Sequence, residues 1–291
     1  MAMSKIGFIG LGIMGAPMAA RLHTAGHEVR GFSKGGVPPG LGITEATSIA
    51  DACSGADVVI TMLPDTPDVL SVALGPEGAL THLPAGALYI DMSTIRPDGA
   101  RTLHAEGLAR GIGVLDAPVS GGQAGAQEGV LSIMVGGEQA TFEEARPVLE
   151  RMGSTIVHVG SAGSGQVVKA ANQLMVAGHL QMLAEAMVFL RAHGADLDAA
   201  LTVLGGGLAG STVLQRKRHN VLTGDFSPGF RISLHDKDLG IVAEASRDRS
   251  VVLPVTALVT QLVRSLKVRG DGGLDHSALY KLAAELNEMD V

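Results

Sequence analysis

Near its N-terminus the chain reads Lys5-Ile6-Gly7-Phe8-Ile9-Gly10-Leu11-Gly12-Ile13-Met14-Gly15-Ala16-Pro17-Met18. An apolar, strand-like run gives way to glycines in the order G-x-G-x-x-G, and a helical segment opens behind them. The first glycine permits a tight turn and the second lets a pyrophosphate approach the backbone. The third allows helix and strand to pack closely, leaving an anion at the helix N-terminus. In a chain with 40 glycines the bare pattern is weak, and a plain strand-to-helix turn is the competing reading. Its placement between strand and helix makes Gly10, Leu11, Gly12, Ile13, Met14 and Gly15 candidates for binding a dinucleotide.

Outward from that loop, short apolar runs at 5–10, 28–32, 57–63, 87–92, 113–117, 132–135 and 155–159 read as strands. Several are continuous Val/Ile/Leu runs, as expected of strands covered on both faces. Helical segments at 16–25, 66–74 and 97–109 alternate with the early ones. Such alternation implies an α/β fold that begins with a Rossmann-type, doubly wound, mostly parallel sheet. Ser161-Ala162-Gly163-Ser164-Gly165 is a short break, and beyond it the pattern is helical. A long segment runs to about 193, followed by 197–204, 212–222, 237–247, 255–268 and 276–287. We therefore expect a dinucleotide-binding domain over 1–163 and an all-α domain over 164–291. No internal repeat or low-complexity tract is apparent.

The 291 residues suit two domains, and a 46% hydrophobic content suits buried cores. A net charge of −7, aromatics at 3% and no Trp argue against nucleic acid as a partner. The single cysteine, Cys53, excludes an intramolecular disulfide and a cysteine metal framework. It reads as a small, semi-buried residue ahead of a turn, in keeping with a reducing, cytoplasmic setting. The first strand follows at once on the N-terminus, with no basic region or cleavage site of a secretory signal. Apolar runs are interrupted, as 251–266 is by Thr256, Thr260, Gln261 and Arg264, so no membrane span is expected.

The second strand ends Gly31-Phe32-Ser33-Lys34, without the acid that would bond ribose hydroxyls. A hydroxyl and an ammonium at Ser33 and Lys34 favour a 2′-phosphate, hence NADP(H), with NAD(H) as the alternative. Asp116-Ala117-Pro118-Val119-Ser120-Gly121-Gly122 follows a strand, and its amides and Ser120 hydroxyl suit a carboxylate. An ordinary loop is the rival reading. Lys169 sits inside an apolar run near a helix start, with Asn172 and Gln173 at i+3 and i+4 on the same face. A lysine on a mostly buried face is usually paired or used. As an ammonium it would protonate the alkoxide left by hydride transfer; a snorkelling interface lysine is the plainer reading. Among Arg231, His235, Asp236, Lys237 and Asp238, Lys237 can reach cofactor or substrate oxygens and Asp238 can pair with a cation such as Lys169. A charge-decorated helix N-terminus explains them equally. His235 reads as structural. Asp275-His276-Ser277 are consecutive, which argues against a triad, and Asp275 reads as an N-cap.

These ordered segments resemble the β-hydroxyacid (3-hydroxyisobutyrate) dehydrogenase family over essentially the whole chain. Residues 8–18 resemble its N-terminal signature, 116–122 its substrate motif and 163–173 its catalytic-lysine motif, with Lys237-Asp238-Leu239 a fourth match. The resemblance implies that Lys169 is the acid in reduction and the base in oxidation, and that Ser120, Gly121 and Gly122 bind substrate carboxylate. It implies that Leu63, Pro64 and Thr94 line the cofactor, with Lys237 near it. Phe230 and Asp238 would close the site. It further implies homodimers or homotetramers formed through the helical domain, and no metal. Many members carry two asparagines where this chain has Asn172-Gln173. That pair, with 206–214, 228–232 and 275–279, resembles the branch that reduces tartronate semialdehyde (2-hydroxy-3-oxopropionate) to D-glycerate.

Three other functions compete. Reduction of succinic semialdehyde or glyoxylate, or oxidation of 3-hydroxyisobutyrate, changes only the substrate. Imine reduction uses the same fold, but those relatives tend to lack the lysine. A dinucleotide-binding regulatory or scaffold protein would be favoured by loss of Lys169, which is present.

Overall fold

The computed structural model describes residues 3–290. It divides into two compact units, residues 1–169 and 170–291. That division falls within a helix, a few residues beyond the Gly/Ser break.

In chain order the first unit contains β1 (Lys5–Ile9), α1 (Gly15–Thr24), β2 (Glu28–Phe32), β3 (Thr44–Glu45), α2 (Ile49–Cys53) and β4 (Val58–Thr61). There follow α3 (Thr66–Leu74), α4 (Ala79–His82), β5 (Leu88–Asp91), α5 (Pro97–Leu108), β6 (Gly113–Asp116), β7 (Val119–Ser120) and α6 (Gly122–Glu128). Then come β8 (Leu131–Gly136), α7 (Gln139–Leu149) and β9 (Gly153–Gly160). The sheet runs β3-β2-β1-β4-β5-β6-β8-β7, with β9 added to β8. β3 through β6 pair in parallel, whereas β8 is antiparallel to β6 and β7. Strand order reverses between β1 and β4, the crevice where open α/β sheets bind ligands.

Alternation within the central strands explains the layers. Ile6, Phe8, Val58, Ile60, Leu88 and Ile90 face one way, into a core closed by Met18 and Leu22 of α1 and Phe142, Ala145 and Leu149 of α7. Ile9, Val59 and Tyr89 face the other way, against Ala52 and Cys53 of α2, Val69 of α3 and Leu103 of α5. Cys53 is fully buried, more deeply than the sequence suggested, and burial pushes its thiol pKa up to about 12. It is therefore an unreactive packing residue.

The rest is helical: α8 (Ser164–Ala192), α9 (Leu197–Gly206), α10 (Thr212–Thr223), α11 (Ile232–Asp248), α12 (Pro254–Val268) and α13 (Leu279–Glu285). Leu180, Leu183 and Met187 of α8 pack with Leu214, Leu239, Val263 and Tyr280. α8 is long and apolar enough to cross a membrane, and 44% of its most apolar window is buried within the fold. Ser48, Asp196 and Ser211 cap α2, α9 and α10 with side-chain oxygens.

The structure corrects several boundaries. α11 begins at Ile232, five residues before the expected start, so His235 to Asp238 lie within the helix. Val119–Ser120 is a short strand, and the glycine-rich stretch after it forms α6. α7 arises where no helix was expected. The last helix is preceded by a 3-10 turn at His276–Ala278, which Asp275 caps by accepting from Ser277 N.

Candidate active site

The first unit places several candidate residues at the carboxyl ends of its strands. Gly10 has φ +100°, and a Cβ there would lie 2.3 Å from the Met62 carbonyl oxygen and 2.9 Å from Leu63. At Gly15 a Cβ would meet the Gly10 carbonyl oxygen at 1.9 Å. Gly12 is different: a Cβ there would find nothing within 4 Å. Two glycines thus close the turn while the middle one faces open space, with Ile13 exposed beside it and Leu11 buried. α1 begins with no side-chain cap and no acidic residue in its first turn, so no carboxylate there opposes an anion at the helix N-terminus. These residues fit the pyrophosphate of a dinucleotide.

Leu63 and Pro64 follow β4, directly across the switch point from that loop. Leu63 N donates to Ser93 Oγ at 2.8 Å, and Ser93 N donates to Asp91 Oδ1 at 3.2 Å. The segment carrying half-buried Thr94 is thereby tied to the segment carrying Leu63. At the tip of β2, Ser33 is half-buried and Lys34 exposed, with Ser33 O accepting from Gly36 N in a turn. No carboxylate occupies positions 32–36.

Ser120 closes β7 opposite Ser132 and is half-buried. Gly121 (φ +140°) and exposed Gly122 (φ +65°) both adopt backbone that favours glycine, which turns the chain into α6. Asp116, at the head of the same motif, is buried and faces away from solvent. Its Oδ1 accepts from Gly163 N at 2.8 Å and its Oδ2 from Gln166 N at 3.0 Å. Burial pushes this carboxyl up to about 6, against the lowering effect of those two amides. The sequence carries little sign of this partnership. A strand-end acid ahead of a glycine-rich break is the only hint it offers.

Lys169 lies in α8 on its buried side, 6% exposed, whereas Val167, Val168 and Ala171 face outward. Asn172 is half-buried and Gln173 buried, so the three share one face as the spacing predicts. In the helical unit Asn172 Nδ2 donates to Gln173 Oε1 at 2.8 Å, and Gln173 Nε2 donates to Asp238 Oδ2 at 2.5 Å. Asp238 Oδ1 lies 2.8 Å from Lys237 Nζ. Neither Lys237 nor Asp238 is a solvated end charge, because both lie on a substantially covered part of α11.

Phe230, half-buried, packs against His235 and His276 with ring centroids 5.7 and 5.3 Å away. His235 and His276 approach through their Nδ1 atoms at 3.2 Å, and His235 Nε2 meets the Gln173 carbonyl at 3.2 Å. His235 is therefore one of a pair that ties α11 to α8. Asp275 is wholly buried and accepts from Lys217 Nζ, the Gly229 and Phe230 amides and Ser277. Burial pushes its pKa up, but His276, Lys217 and Ser277 outweigh that and hold the carboxyl well below the usual range. Asp275 thus fixes the Phe230 backbone, a role beyond the cap that sequence suggested. No group of three metal-ligating side chains occurs among the described residues.

Comparison with known proteins identifies the class. Residues 5–160 match the NAD-binding domain of 6-phosphogluconate dehydrogenase, and 163–283 match the NAD-binding region of NADP-dependent 3-hydroxyisobutyrate dehydrogenase. The chain is 39% identical to 2-hydroxy-3-oxopropionate reductase of Escherichia coli, over 95% of this chain and 96% of that protein. It is also 39% identical to the NAD-dependent L-serine dehydrogenase of Pseudomonas aeruginosa, over 96% and 98%. The solved Mycobacterium tuberculosis 3-hydroxyisobutyrate dehydrogenase with L-serine superposes with a TM-score of 0.86 at 35% identity, covering 97% and 99%. A glycine loop at the switch point, together with these matches, defines an NAD(P)-dependent oxidoreductase. The chain belongs to the β-hydroxyacid dehydrogenase family, and its activity is that of an NAD(P)-dependent dehydrogenase or reductase.

Proposed function

We propose that the chain reduces tartronate semialdehyde (2-hydroxy-3-oxopropionate) to D-glycerate, with NADPH favoured over NADH. The observation that carries this choice is the hydrogen-bonded polar run Asn172–Gln173–Asp238, whose first two members follow Lys169 by three and four residues along α8. A three-carbon substrate bearing hydroxyl and carboxylate needs polar partners, whereas a methyl-bearing one needs an apolar wall. The 39% identity to the E. coli reductase supports the same choice.

A bound nicotinamide supplies or accepts the hydride. Gly10 to Gly15 seat the pyrophosphate, Leu63, Pro64 and Thr94 line the dinucleotide, and Ser33 and Lys34 meet a 2′-phosphate. Ser120, Gly121 and Gly122 hold the substrate carboxylate through hydroxyl and amides. Asn172 and Gln173 orient the substrate, Phe230 and Asp238 cover it, and Lys237 lies near the cofactor. As hydride reaches the aldehyde carbon, its oxygen becomes an alkoxide, and the Lys169 ammonium gives that oxygen a proton. In the oxidative direction neutral Lys169 takes the proton back.

Residues 1–163 are assigned to cofactor binding, and 164–291 to substrate choice and self-association as a homodimer or homotetramer. Exposed Val168, Met175, Met182 and Phe189 recur every seven residues along α8, as expected of a helix seam that packs on a second copy. A cytoplasmic setting and independence from metals complete the assignment.

A second reading, oxidation of a β-hydroxy acid such as L-serine, draws on the tuberculosis structure's bound L-serine and the P. aeruginosa relative. Measured kcat/KM values for tartronate, succinic and methylmalonate semialdehydes, glyoxylate and L-serine with each cofactor decide between them. An advantage of at least about tenfold for tartronate semialdehyde, some 1.4 kcal/mol of discrimination, supports the first reading. A like advantage for another compound replaces it.

A further inference from the structure

We propose that Asp116 is a positioning residue for Lys169: its carboxylate clamps the first turn of α8 to the end of β6, and so fixes the lysine against the strand that leads to Ser120. This rests on the reading of Lys169 as the proton donor.

Both carboxylate oxygens are committed to backbone amides, Gly163 N and Gln166 N, on either side of the helix start. The surroundings are shaped around the carboxylate. A Cβ on Gly136 would lie 2.5 Å from Oδ1, and one on Gly165 2.8 Å from Oδ2. A second tether reinforces the first, since Gln166 Oε1 accepts from Ile95 N at 3.0 Å and its Nε2 donates to Ser93 O at 2.9 Å. The first turn of α8 is therefore held to the ends of both β5 and β6. Lys169 stands one turn further along the same rigid helix, where any slip of the first turn is transmitted. Ser120 lies four residues beyond Asp116 on the other branch. One short motif thus serves two tasks: its acid holds the lysine helix, and its later residues face the substrate.

The charge of Asp116 matters to this clamp. The groups facing it are the Asp91 carboxylate, its register partner on β5, and the amides of α8, with the Arg101 guanidinium close to Gly163. Burial and Asp91 favour the neutral acid, the amides favour the anion, and the balance lies at about 6. The anion accepts two N–H bonds at neutral pH. Protonation turns one oxygen into a donor and opens one of them.

Two measurements test the proposal. In the wild-type protein the Gly163 and Gln166 amide NMR resonances should titrate together with a midpoint near 6, and that titration should be absent in Asp116→Asn. In the Asp116→Asn protein kcat at neutral pH should fall on the order of 10- to 100-fold with KM nearly unchanged, as for a misplaced catalytic group. The fall in wild-type kcat below that midpoint should disappear as well. Amides that do not titrate in the wild type overturn the clamp, even if the variant fails to fold. Wild-type kcat with the acid limb intact in Asp116→Asn overturns the positioning role. Full activity in Lys169→Ala would instead sink the reading of the lysine, while the amide titration continues to judge the clamp.

Discussion

Adding one methyl group to Gly12 and to Gly15 should have opposite consequences. At Gly15 the new Cβ would stand 1.9 Å from the Gly10 carbonyl oxygen, and that oxygen cannot retreat. Gly10 is itself held at φ +100°, with the space on its side-chain side taken up by the Met62 carbonyl and Leu63. Helix propensity returns about 1 kcal/mol for Gly→Ala, which does not offset the overlap. A net loss of about 2–4 kcal/mol follows, in the range of overpacked core sites. For a unit of this size each kcal/mol lowers Tm by about 2–4 °C, so Gly15→Ala should melt roughly 5–15 °C lower. At Gly12 no atom other than those of its chain neighbours and its own helix turn lies within 4 Å of the added carbon, so Gly12→Ala should melt within about 2 °C of wild type. The methyl instead enters space assigned to the pyrophosphate, and Kd for NADP(H) should rise at least about tenfold, or 1.4 kcal/mol. Calorimetry of the cofactor-free proteins and fluorescence titration with NADPH read the two quantities separately. Wild-type affinity in Gly12→Ala would refute the placement of the pyrophosphate, and an unchanged Tm in Gly15→Ala would refute the packing argument.

Other changes probe the remaining parts. Replacing Ser33 by Asp and Lys34 by Ala should lower the NADPH/NADH ratio of kcat/KM by at least about tenfold, and an unaltered ratio discards the 2′-phosphate reading. Ser120→Ala should raise substrate KM by about fivefold or more without changing cofactor Kd, since one charge-assisted hydrogen bond is lost; equal KM values remove the hydroxyl from the carboxylate site. Asp275→Asn leaves the Lys217 ammonium, 16% exposed, without its counter-charge, and should cost the helical unit about 3–5 kcal/mol in urea unfolding. Because the folded pKa of Asp275 is depressed, its contribution is present above the unfolded value of 3.8 and fades as pH falls below it. Acid destabilisation should therefore be shallower in that variant, and equal slopes would contradict the linkage.

Much of the architecture was legible because period and turn chemistry agreed. β1, its glycine loop and α1 announce themselves locally, and β4 and β5 are apolar runs that need two covered faces. α6 was not legible: Gly122 and Gly125 give it poor propensity, and it forms where Ala126 packs into the core. α7 carries Pro147 inside it and shows its burial only through Phe142, Ala145, Val148 and Leu149. The charges of 235–238 read as a helix end because their partners are remote. Asp236 is paired with Arg264 and Lys267, on α12. The buried face of Lys169, Asn172 and Gln173 followed from spacing alone. The two amides held by Asp116 lie 47 and 50 residues away, a pairing that only the folded chain brings about.

Single-turnover reduction of tartronate semialdehyde by Lys169→Ala, with NADPH prebound, isolates the proton transfer assigned to Lys169. We expect cofactor Kd within about twofold of wild type and a hydride-transfer rate lowered by 10²–10⁴, the range for loss of a general acid. A rate near that of wild type, with the fold intact, would contradict the assignment of Lys169 as the proton donor.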